Sequence, residues 1–376
     1  MYEKALPMMQ AGIDVIHLEV GMPSFDTPEH IKVATKQALD DGLVHYGDFA
    51  GNLNFREALV DKLKNQNALS VSPDEILITN GLTHASYATC MAALDPGDEV
   101  IVLEPYYPQH INKVELAGGK LVPVPLDKEN GFRLDAEAVA AAISDRTRMI
   151  ALVNPANPTG RVFSREELES LAEVCIRHDL LVMSDEVYEQ IVYDAHQHIS
   201  IASLPGMFER TISMFAFTKA YAMDGWRLGY AVAPKAMMPA LLKITMNDVA
   251  HVNVFIQEGG RAAVVGPQNC VTEMVSEDCR RRDLIYGRMN NMPMVNCALP
   301  EGTIYAFPDI SALGLPSAEV AERILLQSHV VTEAGSFYGP AGEGHLRICF
   351  GAEPYERLEE AMSRLDDFFS RLAKQG

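Results

Sequence analysis

Lys219 lies in TISMFAFTKAYAMDGWRLGYAVAP (Thr211 to Pro234), where an apolar run delivers one lysine and Gly225-Trp226-Arg227 follows. A lysine at the end of a buried strand has a partly desolvated amine, which lowers its pKa and suits it to form a Schiff base. Arginine grips a phosphate with a planar fork of donors, and Arg227 stands nearby to do so. One amine and one phosphate clamp are the minimum equipment for holding pyridoxal phosphate. An arbitrary lysine is far more often a solvated surface residue, so the reading depends on what else converges on this one.

Polar motifs follow other apolar runs. After MIALVNP (Met149 to Pro155) comes Ala156-Asn157-Pro158-Thr159-Gly160, a rigid turn that holds the Asn157 amide in one orientation. After LLVM comes Ser184-Asp185-Glu186-Val187-Tyr188. A carboxylate such as Asp185, facing a pyridine nitrogen, keeps that nitrogen protonated so the ring can accept electrons. Asn157 and Tyr188 can both hydrogen-bond a ring hydroxyl. Lys219, once released by substrate, can carry a proton between substrate and cofactor carbons. Singly, each has a plainer reading: Asn157 as a turn residue, Asp185 as a helix N-cap, Tyr188 as a core phenol. Their joint placement makes the plain readings improbable.

Two weaker signals accompany these. Thr79-Asn80-Gly81-Leu82-Thr83-His84 is a glycine turn leading into a helix, where backbone amides and the Thr83 hydroxyl could cradle a phosphate. In Tyr106-Tyr107, after EVIVLEP, Tyr107 could stack on a flat ring or belong to the core.

The elements that must position these groups alternate short apolar runs with helical patterns. EVIVLEP, MIALVNP, LLVMSDE, TISMFAF and LGYAVAP read as strands buried on both faces. Between the second and third lies SREELESLAEVCIRHD, a helix whose Ser164 and Glu167 form a capping box. Strand, helix, strand at this spacing makes a parallel βαβ unit. In such a sheet ligands bind beyond the carboxyl ends of the strands, where three of these motifs fall: that of Asn157, that of Asp185 and Tyr188, and that of Lys219. Helices are predicted over 28–41 and 54–65 and after Asn80-Gly81. The last third changes character: a long helical region over 251–291, strand-like GTIYAFPDI and GHLRICF, and amphipathic helices in SAEVAERILLQSH and PYERLEEAMSRLDDFFSRLAKQ. That layout predicts an α/β body over 31–265 and a smaller α+β domain formed by 1–30 with 266–376.

At 376 residues, 48% hydrophobic and 22% charged, the composition is that of a globular protein with room for two domains. A formal net charge of −20 argues against nucleic acid or an anionic membrane as partner. No stretch is long and apolar enough for a transmembrane helix, and the N-terminus lacks a signal-peptide layout. Six scattered cysteines show no zinc-type spacing, so no metal is expected and the cytoplasm is the expected compartment.

Taken together, the motifs resemble the class I/II pyridoxal-phosphate aminotransferases of fold type I, in the branch carrying a GWRxGY signature. The resemblance runs from VGMPSFDTP (Val20 to Pro28) through LDPGDEVIVLEPYYP, NPANPTG, SDEVYEQIVY, the lysine motif and RRRD to FYGPAGEGHLRICF. It implies that Lys219 forms the Schiff base, Asp185 partners the pyridine nitrogen, Asn157 and Tyr188 contact the ring hydroxyl, and Tyr107 stacks on the ring. It further implies that Arg227 and the Leu82 and Thr83 amides hold the phosphate. Tyr46 would reach the phosphate of a partner subunit, which makes the protein a homodimer with shared sites. Arg347 would take the substrate α-carboxylate beside Asn157, and Gly21 would let the backbone approach the substrate. Alternation in GHLRICF sets Arg347 opposite Leu346, Ile348 and Phe350, a pattern that an exposed strand arginine also satisfies.

The chain departs from the family at two places. Ala216 stands where a serine often donates to the phosphate, leaving Thr218 as candidate substitute, and Asp224 stands where threonine is common. The region 243–254 holds Asp248 and His251 but no arginine for a distal carboxylate. The expectation is therefore a transaminase for neutral, aromatic or a broad range of donors, not a strict aspartate enzyme. The alternatives are a β-lyase, or a lyase or cyclase of secondary metabolism, on the same fold. More remote is a ligand-sensing regulatory domain, which the acidic charge and the absence of a preceding DNA-binding module disfavour.

Overall fold

The computed structural model describes residues 1–374. The first strand, β1 (Ile16–His17), is followed by the main sheet: β2 (Ile76–Thr79), β3 (Glu99–Glu104), β4 (Lys120–Pro125), β5 (Thr147–Val153), β6 (Leu181–Asp185), β7 (Thr211–Ala216) and β8 (Gly229–Val232). Later come β9 (Tyr305–Ala306), β10 (Val330–Val331), β11 (Glu333–Ala334) and β12 (Leu346–Cys349).

The main sheet has the order β2-β8-β7-β6-β5-β3-β4. Every neighbouring pair is parallel except that β8 runs antiparallel to both β2 and β7. This reversal matters for the site. The carboxyl ends of β2, β3, β5, β6 and β7 share one edge with the amino end of β8, where Gly229 pairs with both Thr79 and Ala216. The segment entering β8 therefore meets the segment leaving β7.

The central strands are apolar on both faces because helices cover both. Ile101, Ile150 and Val182 pack with Leu168 and Leu171 of the helix Arg165–Arg177. Their neighbours Val100, Met149 and Met183 turn the other way, against Ala85 and Ala88 of the helix Gly81–Ala93. The capping box forms as the sequence predicts: Ser164 Oγ accepts from the Glu167 amide at 3.2 Å, and the Glu167 carboxylate accepts from the Ser164 amide at 2.8 Å. Ser164→Ala is expected to cost about 1 kcal/mol, read from the urea midpoint. An unmoved midpoint would show that the cap contributes nothing.

The remaining strands gather around a separate core. β1 pairs in parallel with β10, and β11-β12-β9 form an antiparallel sheet. Ile16 and Leu18 from the start of the chain pack there with Ile285, Val320, Ile348 and Leu365. The predicted helices over 28–41 and 54–65 appear as Glu29–Asp40 and Leu53–Asn67.

Three features differ from the sequence reading. The helical region over 251–291 is two helices, Val254–Val265 and Asn269–Met289, because Gly266 is extended and Pro267 cannot continue the hydrogen-bond ladder. GTIYAFPDI contributes only the two residues of β9. A helix at Tyr2–Gln10 was not expected: it contains Pro7 and buries only Ala5, so no apolar periodicity marks it. Among the described residues no helix is long and apolar enough to cross a membrane.

Candidate active site

A cavity of about 510 Å³ opens at the sheet edge just described. Lys219 lines it, three residues beyond the end of β7, and its Nζ donates to the Gly21 carbonyl. Asp185, the last residue of β6, is 3% exposed. Its Oδ2 accepts from His110 Nε2 at 2.9 Å and its Oδ1 from the Val187 amide at 3.2 Å. Burial lowers the His110 pKa and outweighs the opposing pull of the carboxylate. The imidazole is thus neutral and donates through Nε2. One turn further along the helix Pro108–Leu116, Lys113 is buried, which brings its pKa down to about 8, and its Nζ donates to Ser86 Oγ at 2.7 Å.

Asn157, beyond β5, accepts through Oδ1 from Arg347 Nη1 at 3.2 Å. Arg347 also donates through Nη2 to the Glu19 carbonyl, and its guanidinium lies 4.4 Å from the Tyr305 ring centre. Arg347 is buried, which overturns the reading of it as an exposed strand arginine. The Tyr188 hydroxyl meets that of Tyr305 at 2.8 Å, and burial raises the Tyr188 pKa well above the usual phenol value. Tyr107 stands just before the helix Pro108–Leu116 with its ring edge-on to His110.

At the other end of the cavity, Arg227 adopts a left-handed backbone conformation (φ 54°) on its way into β8, and Nη1 donates to the Asp224 carbonyl at 2.8 Å. A Cβ on Gly81 would fall 2.5 Å from Arg227 Nη2, and Gly81 has φ +75°. Glycine is therefore required for the helix Gly81–Ala93 to start against the guanidinium. Leu82 and Thr83 occupy its first turn, and both line the cavity. Thr218 lines it too, so a hydroxyl is present although Ala216 supplies none. Asp224 meets Arg227 through its backbone; nothing in the structure explains its carboxylate.

Gly21 lines the cavity, whereas Tyr46 lies away from it. The space a side chain at Gly21 would need is filled by Tyr305, whose hydroxyl would lie 2.0 Å from a Cβ there. The glycine thus accommodates a neighbouring phenol, whatever else approaches it. Tyr46 is 90% exposed and lies outside the cavity, edge-on to His251.

The sequence profile of the family described as "Aminotransferase class I and II" matches residues 13–365. The chain belongs to the class I and II aminotransferases. Among the relatives of this aminotransferase, the aspartate aminotransferase of Pyrococcus abyssi (strain GE5 / Orsay) is 42% identical, aligned over 94% of this chain and 91% of the relative. The aromatic-amino-acid aminotransferase 2 of Thermococcus litoralis is 40% identical over 96% and 94% of the two chains. The solved aromatic aminotransferase from Pyrococcus horikoshii OT3 superposes with a TM-score of 0.93 at 41% identity, covering 99% of each chain. The family uses pyridoxal phosphate, and this protein is a pyridoxal-phosphate transaminase of fold type I. With relatives named for amino transfer throughout, the lyase and sensing-domain alternatives are not favoured.

Sequence reasoning about this aminotransferase missed His110, Tyr305, Glu19 and Glu333. His110 stands three residues after Tyr107, one helical turn, and that spacing was the available signal. Tyr305 comes from a two-residue strand and carries no pattern.

Proposed function

We propose that this aminotransferase moves an amino group between L-amino acids and 2-oxo acids by ping-pong steps through Lys219, with a neutral, aromatic or broad donor range. The observation that carries this reading is that Lys219, Asp185, Asn157, Arg227 and Arg347, drawn from distant parts of the chain, line one cavity. When bound, pyridoxal phosphate supplies an electrophilic carbon and an electron-accepting ring. The residues present fit it, since Gly81 leaves room for the Arg227 fork at a helix N-terminus, the kind of cradle a phosphate takes.

In this reading the Lys219 amine would hold the cofactor covalently and would carry a proton to and from the substrate carbon. Asp185, steadied by His110 and the Val187 amide, holds a proton on the pyridine nitrogen. Asn157 and Tyr188 orient the ring hydroxyl, and Tyr107 covers a ring face. Arg227, the Thr83 hydroxyl and the amides of Leu82 and Thr83 bind the phosphate. Arg347 binds the α-carboxylate beside Asn157, with the Gly21 backbone close to the substrate.

The protein works as a homodimer, with Tyr46 reaching the partner's phosphate. The apolar surface formed by Leu43, Val44, Tyr46 and Phe49, all exposed in the single chain, supports this. Residues 31–265 form the cofactor-binding domain, and 1–30 with 266–376 the smaller one. The cytoplasm suits its six free cysteines.

The donor range rests on the absence of arginine from 243–254 and on the Val20, Phe337 and Tyr338 wall of the cavity. The test is a visible-absorption titration of the purified holoenzyme with a panel of amino acids. Methionine, alanine and aromatic donors are expected to bleach the cofactor band and yield pyridoxamine phosphate. Saturation by aspartate at low concentration, with poor response to the other donors, would refute the range.

A further inference from the structure

We propose that Glu19 and Glu333 form an acidic subsite in this cavity that selects amino donors with a cationic side chain. The proposal rests on the aminotransferase reading and on Arg347 as the α-carboxylate site, and it names a substrate class within the broad range.

Both carboxylates line the cavity. Glu19 is 5% exposed; its Oε1 meets His17 Nδ1 at 2.9 Å, while its buried Oε2 has no hydrogen-bond partner among the described residues. Glu333 on β11 is the cross-strand neighbour of Arg347 on β12, so the two side chains share one face of that small sheet. A ligand that rests its carboxylate on Arg347 therefore sits beside Glu333. Yet Arg347 spends its Nη donors on Asn157 Oδ1 and the Glu19 carbonyl, and forms no ion pair with either glutamate among the described residues. The cation nearest Glu333 is the Met1 amine at 3.7 Å, beyond hydrogen-bond range.

Buried carboxylates whose charge is only partly balanced are costly, and the cost falls when a further cation is supplied. Burial raises the Glu333 pKa above the usual carboxylate value and outweighs the opposing pull of the Met1 amine and Arg347, so the positive charge already near it compensates its burial only in part. The charged groups around the cavity are Lys219, Arg227 and Asp185 at the cofactor end and Arg347, His17, the Met1 amine, Glu19 and Glu333 at the other. An α-carboxylate on Arg347 cancels its charge and leaves Glu19 and Glu333, with the Met1 amine and His17 beside them, to set the field at the donor's side chain. A guanidinium or ammonium there would be attracted, and the distal carboxylate of aspartate repelled. Val20 and Phe337 supply apolar wall for the methylene stem.

The test compares pairs that differ in charge but little in shape: L-arginine against L-citrulline, and L-lysine against L-norleucine. In the wild-type holoenzyme the charged member of each pair is expected to show about tenfold or greater kcat/KM. Glu333→Gln and, separately, Glu19→Gln are expected to bring that ratio toward one. A binding measurement without turnover runs alongside: calorimetry with 5-guanidinopentanoate against pentanoate, with the same tenfold preference and the same loss. Ratios near one in the wild type would overturn the subsite while leaving transamination intact. Equal losses for both members of a pair in both variants would overturn it as well, by showing that the glutamates serve the fold or the Met1 amine. Failure of every amino acid to bleach the cofactor would instead sink the aminotransferase reading, and the subsite with it.

Discussion

Lys219→Ala is expected to end sustained transamination while leaving the fold in place. Lys219 is partly buried at a cavity wall, outside the core clusters, and among the described residues its amine donates to the Gly21 carbonyl alone. Its removal therefore empties space in an open site without removing core packing, and little stability should be lost. Catalysis loses two things together. On the proposed reading the amine that would hold the cofactor covalently is gone, and so is the group that would move the substrate proton. Proton transfer alone is worth roughly 10²–10⁴-fold, so turnover should fall at least that far. The other nitrogen groups of the cavity wall are engaged elsewhere: Arg227 and Arg347 are guanidiniums held by the Asp224 carbonyl and Asn157, and the Met1 amine pairs with Glu333. The measurement is multiple-turnover rate with the best donor, beside the visible spectrum and the thermal melt of the variant. A turnover within tenfold of wild type, in a protein that still binds cofactor, would remove Lys219 from the mechanism.

Much of this site could be read from sequence because its residues follow apolar strands directly. Asn157 comes after β5, Asp185 ends β6 and Lys219 comes after β7, so the rule that ligands bind at strand ends located them without any tertiary detail. Arg227 was legible from its spacing to the lysine, but the reason it reaches the site was not. It precedes β8, and only because β8 runs against β2 and β7 does its amino end open on the same edge. Strand direction within one sheet is a tertiary property that a run of apolar residues does not encode.

The groups that the sequence hid are those placed by packing between distant segments. Tyr305 comes from a two-residue strand, yet its hydroxyl meets Tyr188 and fills the space beside Gly21. Glu19 and Glu333 lie far apart in the chain and meet because β1 pairs with β10 and β11 with β12, short ladders with no periodicity to read. The helix boundaries fared better where chemistry marks them. Ser164 and Glu167 fixed one start, while the break at Gly266-Pro267 was passed over because the helical pattern resumes directly beyond it.

Asp185→Asn separates the charge of this residue from its shape, and kcat is expected to fall by about 10²–10³, the loss typical of one preorganised electrostatic group. The substitution keeps the volume of a side chain that is 3% exposed, so packing should survive. The amide oxygen can still accept from one of the two present donors, His110 Nε2 or the Val187 amide. What cannot survive is the negative charge toward the cavity. His110 does not replace it, because burial keeps the imidazole neutral and its Nδ1 has no partner among the described residues. Lys113 behind it works the other way: without the carboxylate, its buried amine faces one negative neighbour fewer and is harder to keep charged. On the proposed reading an amide at this position would no longer hold a proton on the pyridine nitrogen, and the electron withdrawal that the bound cofactor would supply would weaken. The visible spectrum of the variant, its cofactor affinity and kcat should therefore change together, while its melting temperature moves little. A melt that collapses would assign Asp185 to the fold, and a kcat within tenfold of wild type would show that its charge has no part in the reaction.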